Sequence, residues 1–326
     1  MLVNSFVHTR PSVGAVKTSA STVADGTFID SHTSPIVVTT IALATCEDLP
    51  SLVADDTSFV AALRDRGVTA EPVVWSDESV DWGDYDAVVV RSIWDYYKRP
   101  EQFSAWIETL ASADCDVWNH SDVLRWNSHK CYLRDLAARG VSTLPTEYVE
   151  QGDDASLEAI FDDRGWDELV VKPAVSAGAF ETKRISRDAA AAEQSWFDDL
   201  VRRNDVLVQA FVADITDGEW SLVFFGGEYS HAVVKRPEAG DYRVQEKHGG
   251  SVNVETPSDG LLEQAARVVD AVTAEVGAKP LYARVDGVER DGDFRLLEVE
   301  LIEPELFFRV DSEAGDRFAE TILERV

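Results

Sequence analysis

Few segments of this sequence are as restrictive as Leu281–Arg309, LYARVDGVERDGDFRLLEVELIEPELFFR. It predicts two strands, Leu281–Arg290 and Phe294–Ile302, joined by a tight Asp-Gly turn. Alternation puts Arg284, Asp286 and Val288 on one face of the first strand, and Leu296, Glu298, Glu300 and Ile302 on one face of the second. A loop of Asp291, Gly292 and Asp293 sets Asp286 opposite Glu298 and Arg284 opposite Glu300. A two-residue Asp-Gly turn slips the register by one and separates them. In the first register three carboxylates converge beside an arginine, with Val285, Leu297, Val299 and Leu301 on the apolar reverse. Like charges held that close raise each other's pKa unless a cation sits between them. The oxygen-only donor set suits Mg²⁺, which takes one or two carboxylates together with water and phosphate oxygens. A solvated acidic hairpin is the competing reading.

That competitor has weight because the whole chain is acidic. Asp and Glu number 60 against 30 Lys and Arg, a net charge of −30, and the isoelectric point is near 4.4. Such a surplus excludes nucleic acid and anionic membrane as partners, since both demand basic surface. It is spread along the chain, as expected of a halophilic protein whose self-repulsion is screened by salt. Cys46, Cys115 and Cys131 form no CxxC, which fits a reducing cytoplasm rather than a disulfide scaffold or zinc site. No apolar run approaches the length of a membrane span. Residues 1–34 lack both periodicity and the apolar centre of a signal peptide, and are expected to be a disordered extension.

Three modules follow. In residues 35–117, strands at Ile36–Thr45, Val73–Trp75 and Ala87–Val90 alternate with helices at Leu52–Arg66 and Pro100–Leu110. That order predicts a parallel, Rossmann-like sheet, without a GxGxxG. The segment Arg91–Asp95 lies at a strand's carboxyl end, where open α/β sheets bind ligands, so Arg91, Ser92 and Asp95 are candidate substrate contacts. A capped loop with Trp94 plugging the core is the alternative.

Residues 118–205 predict a helix, Asn127–Gly140, carrying His129, Lys130 and Arg134. Beyond it come a strand at Leu144–Val149, a helix at Ala155–Asp163 and a strand at Glu168–Pro173. Lys172 stands at the end of that last strand, where burial without an anionic partner is costly. A loop of small residues, Ala174–Ala179, would let backbone N–H groups approach a phosphate. The helix Ala189–Arg203 closes the module.

Residues 206–326 open with the strand Val206–Val212. Strands Trp220–Phe225 and Glu228–Lys235 turn at Gly226 and Gly227. A polar, glycine-rich segment, 241–250, and a helix, Leu261–Val276, precede the hairpin. Lys130, Lys172, Lys235, Arg236, Arg243 and Arg284 thus recur at strand ends in a chain short of cations, which calls for an anion. A nucleoside triphosphate with a metal fits: lysines on phosphates, carboxylates on Mg²⁺, arginines on the charge that develops during transfer.

The order VVKP, small-residue loop, VLVQAFV, DGEWS, VVKRP, DYRVQEKHGG, ARVDGV, LLEVELIEP resembles the ATP-grasp superfamily. Within it the chain is similar to the prokaryotic glutathione-synthetase-like branch, and there to the D-cycloserine-forming cyclo-ligases that act on O-ureido-serine. RSIWDYYKRP and LRWNSHKCYL extend the resemblance towards the amino terminus, so that it spans Ile36 to Arg309. It implies an α/β ATP-grasp fold, a Rossmann-like subdomain followed by two α+β subdomains that grip ATP.

It also implies roles. Lys130 and Lys172 would reach the α- and β-phosphates, with Ser176, Ala177, Gly178 and Ala179 as a flap over them. Gln209, Ala210, Phe211 and Val212 would read adenine, and Glu219 would hold the ribose. Lys235 or Arg236 would contact phosphate, Arg243 would bind the substrate or the transferred phosphoryl group, and Arg284 is a further catalytic candidate. Asp286, Glu298 and Glu300 would bind Mg²⁺, or Mn²⁺ in its place. Glu300 departs from the asparagine of glutathione synthetases. Arg309 could hold a substrate carboxylate or form a surface ion pair. His129, His231 and His248 are expected to be structural.

The activity implied is ADP-forming ligation of amino-acid-like carboxylate and amine substrates through an acyl phosphate, in one molecule or between two. A nucleotide-binding regulatory protein or a small-molecule phosphotransferase would keep the ATP site without ligation. A periplasmic-type binding protein lacks the export signal. Homo-oligomerisation is left open.

Overall fold

The computed structural model describes residues 39–238, 243, 244, 246 and 249–326. The expected extension 1–34 and His248 lie outside them. Three sheets form among the described residues. The first has four parallel strands, β1 (Thr40–Thr45), β2 (Thr69–Val74), β3 (Ala87–Ser92) and β4 (Asp116–Trp118), in the order β2-β1-β3-β4. Helix α1 (Thr57–Asp65) lies between β1 and β2, and α2 (Pro100–Ser112) between β3 and β4. Central strand β3 is buried along its whole length, which its unbroken Ala-Val-Val-Val run permits. The predicted Rossmann-like sheet is present.

One predicted helix is not continuous. Asn127–Gly140 divides into the end of α3 (Ser121–Asn127) and α4 (Tyr132–Ala138). The break serves docking. Asn127 donates to Val299 O and accepts from Leu301 N, each at 2.9 Å, and Lys130 N donates to Ala174 O at 2.8 Å. Lys130 therefore sits in the break and not on a helix.

The second sheet is antiparallel. It contains β5 (Thr146–Val149), β6 (Glu168–Pro173), β7 (Lys183–Ser186) and β8 (Val206–Ala210), in the order β5-β8-β6-β7. Strand β8, which the sequence suggests opens the third module, pairs here. Leu169 and Val171 of β6 point into a core with Phe161 of α5 (Leu157–Arg164) and Phe197 of α6 (Ala190–Val201). Val170 and Lys172 are left on the other face.

The third sheet runs β11-β10-β9-β12-β13, with β9 (Glu219–Phe225), β10 (Glu228–Arg236), β11 (Ser251–Val254), β12 (Tyr282–Arg290) and β13 (Asp293–Glu300). Leu222, Phe224, Ala283, Val285 and Val299 pack on α7 (Asp259–Val276). Val223, Phe225 and Tyr282 face the opposite way. They share a core with Leu43 and Val89 of the first sheet, Phe59 of α1 and Phe318 of α8 (Ala314–Leu323). No helix among the described residues is long and apolar enough to cross a membrane.

The hairpin reaches its register by an unexpected route. Its loop is only two residues long, Asp291 (φ 54°) and Gly292 (φ 86°), both left-handed as a tight hairpin turn requires. Alone, that turn would misalign the carboxylates. A β-bulge at Leu297, between the pairs Gly287–Leu296 and Asp286–Glu298, restores the register, so that Asp286 faces Glu298 and Arg284 faces Glu300. Beyond the bulge the alternation is shifted, contrary to expectation: Leu296 enters the core with Val285 and Val299, and Leu297 lines a cavity. Gly287 is required beside it, because a Cβ there would lie 2.5 Å from Arg295 O and closer still to the Phe294 ring.

Candidate active site

A cavity of about 480 Å³ lies between the second and third sheets, and the segment that follows β3 of the first sheet closes part of it. Its floor is one face of the third. Directly paired residues of neighbouring antiparallel strands share a face, and the registers Lys235–Glu219, Asp286–Ser221, Asp286–Glu298 and Arg284–Glu300 place these groups side by side. The same alternation that sends Leu222, Val285 and Val299 into the core turns Glu219, Lys235, Arg284, Asp286, Glu298 and Glu300 towards the cavity.

The floor is a lattice of buried ion pairs. Arg284 donates to Asp286 Oδ1 at 3.0 Å and Oδ2 at 2.8 Å, and pairs with Glu300. Lys235 bridges Glu219 at 2.5 Å and Asp286 at 3.3 Å, and Lys130 pairs with Glu298. Ser221 Oγ donates to Asp286 at 2.7 Å. Burial pushes the Asp286 carboxyl up, but Arg284 and Lys235 more than offset this and hold it at about 2. Burial also raises Glu300, which Arg284 counters and Asp286 and Glu298 reinforce, leaving it at about 7. The expected mutual elevation of the carboxylates thus survives only at Glu300, because cations hold the other two.

The second sheet supplies the opposite wall. Lys172 and Val170 of β6 and Gln209 and Ala210 of β8 line it, followed by Phe211 and Val212. Val170 and Gln209 are paired across the strands. The Lys172 ammonium has no hydrogen bond or ion pair among the described residues, and burial lowers its pKa to about 8. The small-residue loop contributes Ser176, Ala177, Gly178 and Ala179. Ser176 Oγ donates back to Pro173 O at 3.0 Å, tying the loop's start to the strand end.

Most of the predicted residues therefore meet in one place, Arg243 among them. Five do not. Arg236 points away from the cavity to Glu255 (2.7 Å), so of the two basic neighbours it is Lys235 that lines it. Arg91 lies under the sheet, paired at 2.9 Å with a fully buried Asp56 and set over the rings of Phe59, Tyr282 and Phe318. A buried guanidinium needs such partners, which leaves it unable to meet a ligand in the cavity. Ser92 is buried beside the same Asp56. Asp95 accepts from Trp75 Nε1 and Arg99. Arg309 is held by Glu305 and Glu246.

From that loop it is Trp94, Tyr96 and Tyr97 that line the cavity, so Trp94 is no core plug; it is 40% exposed. Their position after β3 was the available signal. Sequence reasoning also missed Asn127, Leu297, Glu303, Glu305 and Phe307. Among the histidines, His129 pairs with Asp205 and His231 lies between Ser230 and Leu306 O, and neither lines the cavity.

The donor chemistry of Asp286, Glu298 and Glu300 fits a hard divalent cation. Among the described residues no three His, Cys, Asp or Glu side chains are grouped to hold one, the carboxylates being engaged by Arg284, Lys130 and Lys235 instead. The arrangement can accept a polyanion over its lysines while carboxylates remain for a metal beside it.

Comparison with known proteins agrees with this geometry. Residues 41–119 match the family model described as D-cycloserine synthetase DcsG, N-terminal domain. The cycloserine biosynthesis protein DcsG of Streptomyces lavendulae is 32% identical over 89% of this chain and 98% of its own. The crystal structure of D-cycloserine synthetase DcsG superposes with a TM-score of 0.80 at 30% identity, covering 88% of this chain and 99% of that one. D-alanine–D-alanine ligase from Bacillus anthracis, complexed with ATP, shares the fold with a TM-score of 0.66 at 16% identity, over 88% and 97% of the two chains. With the walls of the cavity built on that fold, the chain belongs to the ATP-grasp ligases, in the family of the D-cycloserine synthetase DcsG.

Proposed function

We propose that this ATP-grasp ligase converts a substrate carboxylate to an acyl phosphate and passes the acyl group to an amine, forming an amide. The observation that carries the reading is the single sheet face on which Lys235, Arg284, Asp286, Glu298 and Glu300 lie together, opposite Lys172. Lys130 and Lys172 would bind the inner phosphates of ATP. Lys235 and Arg284, with Arg243 nearby, would stabilise the charge on the phosphoryl group as the carboxylate oxygen attacks it. Gln209–Val212 would receive the adenine, Glu219 the ribose, and Ser176–Ala179 would cover the phosphates.

Asp286 and Glu298, with Glu300, would hold Mg²⁺, which when bound neutralises phosphate charge. The floor's internal ion pairs support this exchange: nucleotide and metal would take over the charges that cations and carboxylates now satisfy in each other. Positioning and electrostatics would supply the catalysis, so no covalent enzyme intermediate is needed. The likeness to DcsG supports a ring closure, with carboxylate and amine in one amino-acid-derived molecule.

Screening hydroxylated and carbamoylated amino acids for ADP release with Mg²⁺ identifies the substrate. Labelling its carboxylate with ¹⁸O then tests the mechanism. Acyl phosphate chemistry requires label in the released phosphate. ADP release with unlabelled phosphate, or release independent of any carboxylate, would refute it.

A further inference from the structure

One carboxylate in the cavity has no part in the reading above. Glu303 is 8% exposed and lines the cavity. No hydrogen bond or ion pair reaches its carboxylate among the described residues, although Arg284, Lys130 and Lys235 all bind acidic neighbours. Its backbone is fixed: Trp94 Nε1 donates to Glu303 O at 3.0 Å, and Pro304 follows, whose own carbonyl accepts from Arg91 at 3.2 Å. Trp94, Tyr96 and Tyr97 stand in the same cavity.

A carboxylate this buried is costly unless something cationic joins it. Burial raises Glu303 to about 8; Glu300 and Glu298 add to this, while Lys130 and Arg284 oppose it. Tyr96, also buried, has its phenol raised by burial and then by Glu303, which puts the two groups within electrostatic reach. A cation that enters with a ligand would supply the partner this group lacks among the described residues. Aromatic faces beside an anion are a suitable environment for an ammonium, which gains from both ion pairing and ring quadrupoles.

We infer that Glu303, with the rings of Trp94, Tyr96 and Tyr97, forms a subsite for the ammonium group of the amino-acid-like substrate. The subsite belongs to the ligase cavity and so rests on the function proposed above. It makes Glu303 a specificity-determining residue, holding a group that keeps its proton. A general base would instead have to remove a proton from the attacking amine. The two roles part in kinetics: recognition resides in KM, proton transfer in kcat.

The test uses D-serine and 3-hydroxypropionate, the same skeleton without the amino group, titrated into the full-length protein with Mg²⁺ and a non-hydrolysable ATP analogue. The wild type should bind D-serine at least tenfold more tightly. Glu303→Gln, which keeps shape and removes charge, should abolish that preference while affinity for the ATP analogue changes less than twofold. Glu303→Asp should restore part of it. Equal binding of the two probes by the wild type would overturn the subsite, as would a preference that persists in Glu303→Gln. A fall in kcat at unchanged KM for an accepted substrate would overturn it in favour of a general base. Binding is read without turnover, so a failure of ADP release would count against the ligase mechanism and leave this result standing.

Discussion

Lys172 offers the sharpest opposition between stability and function. Its ammonium lies in the cavity wall without an ion-pair partner among the described residues, and burial brings its pKa from 10.5 to about 8. At about 1.4 kcal/mol per pH unit, holding it charged in the folded chain at pH 7 costs about 3 kcal/mol. Lys172→Met keeps an unbranched side chain and removes the charge. Without nucleotide the variant should therefore be more stable than the wild type, by up to about 3 kcal/mol in urea titrations.

The pH dependence follows. Between 8 and 10.5 the unfolded chain holds the proton that the folded chain has lost, so rising pH stabilises the wild type there. The variant's advantage should be full below pH 8 and vanish above 10.5. In exchange, ATP affinity should fall by about 1–3 kcal/mol, the worth of a charge-assisted hydrogen bond. A variant less stable than the wild type at pH 7, or an advantage indifferent to pH, would refute the electrostatic argument. Unchanged ATP affinity would remove Lys172 from the phosphate site.

Two further substitutions probe the floor and its rim. Asp286→Asn breaks a buried pair with Arg284 and Lys235 and should destabilise the protein without nucleotide by about 3–5 kcal/mol, measured by urea unfolding. Because folding holds Asp286 at about 2 against an ordinary 3.8, its stabilisation is present above 3.8 and lost as pH falls through 2, and acid unfolding of the variant should lack that step. Arg243→Ala should lower kcat by about a hundredfold with much less change in ATP affinity, as expected of a group that stabilises transferred charge. Equal losses in both would make it a ground-state nucleotide contact.

Much of the site was legible in the sequence because it is built on alternation. Alternation along the hairpin assigns Arg284 and Asp286 to its polar side, while Lys172 and Lys235 stand out as cations at the ends of otherwise apolar strands. The scarcity of cations in an acidic chain made their recurrence at strand ends informative. Order and spacing of the short motifs carried the family likeness. Other features depend on contacts between distant segments, which no local pattern records. The Leu297 bulge, hidden in an unbroken strand pattern, decides that Asp286 meets Glu298 and that Leu296 and Leu297 exchange faces. Arg91 and Trp94 lie three residues apart at the end of one strand, yet Asp56 withdraws the first into the core while Glu303 O anchors the second at the cavity wall. Between Lys235 and Arg236 the choice fell to Glu219 and Asp286 across the sheet on one side and Glu255 on the other. A buried charge settles where its partners are, and the partners are set by the packing of three sheets.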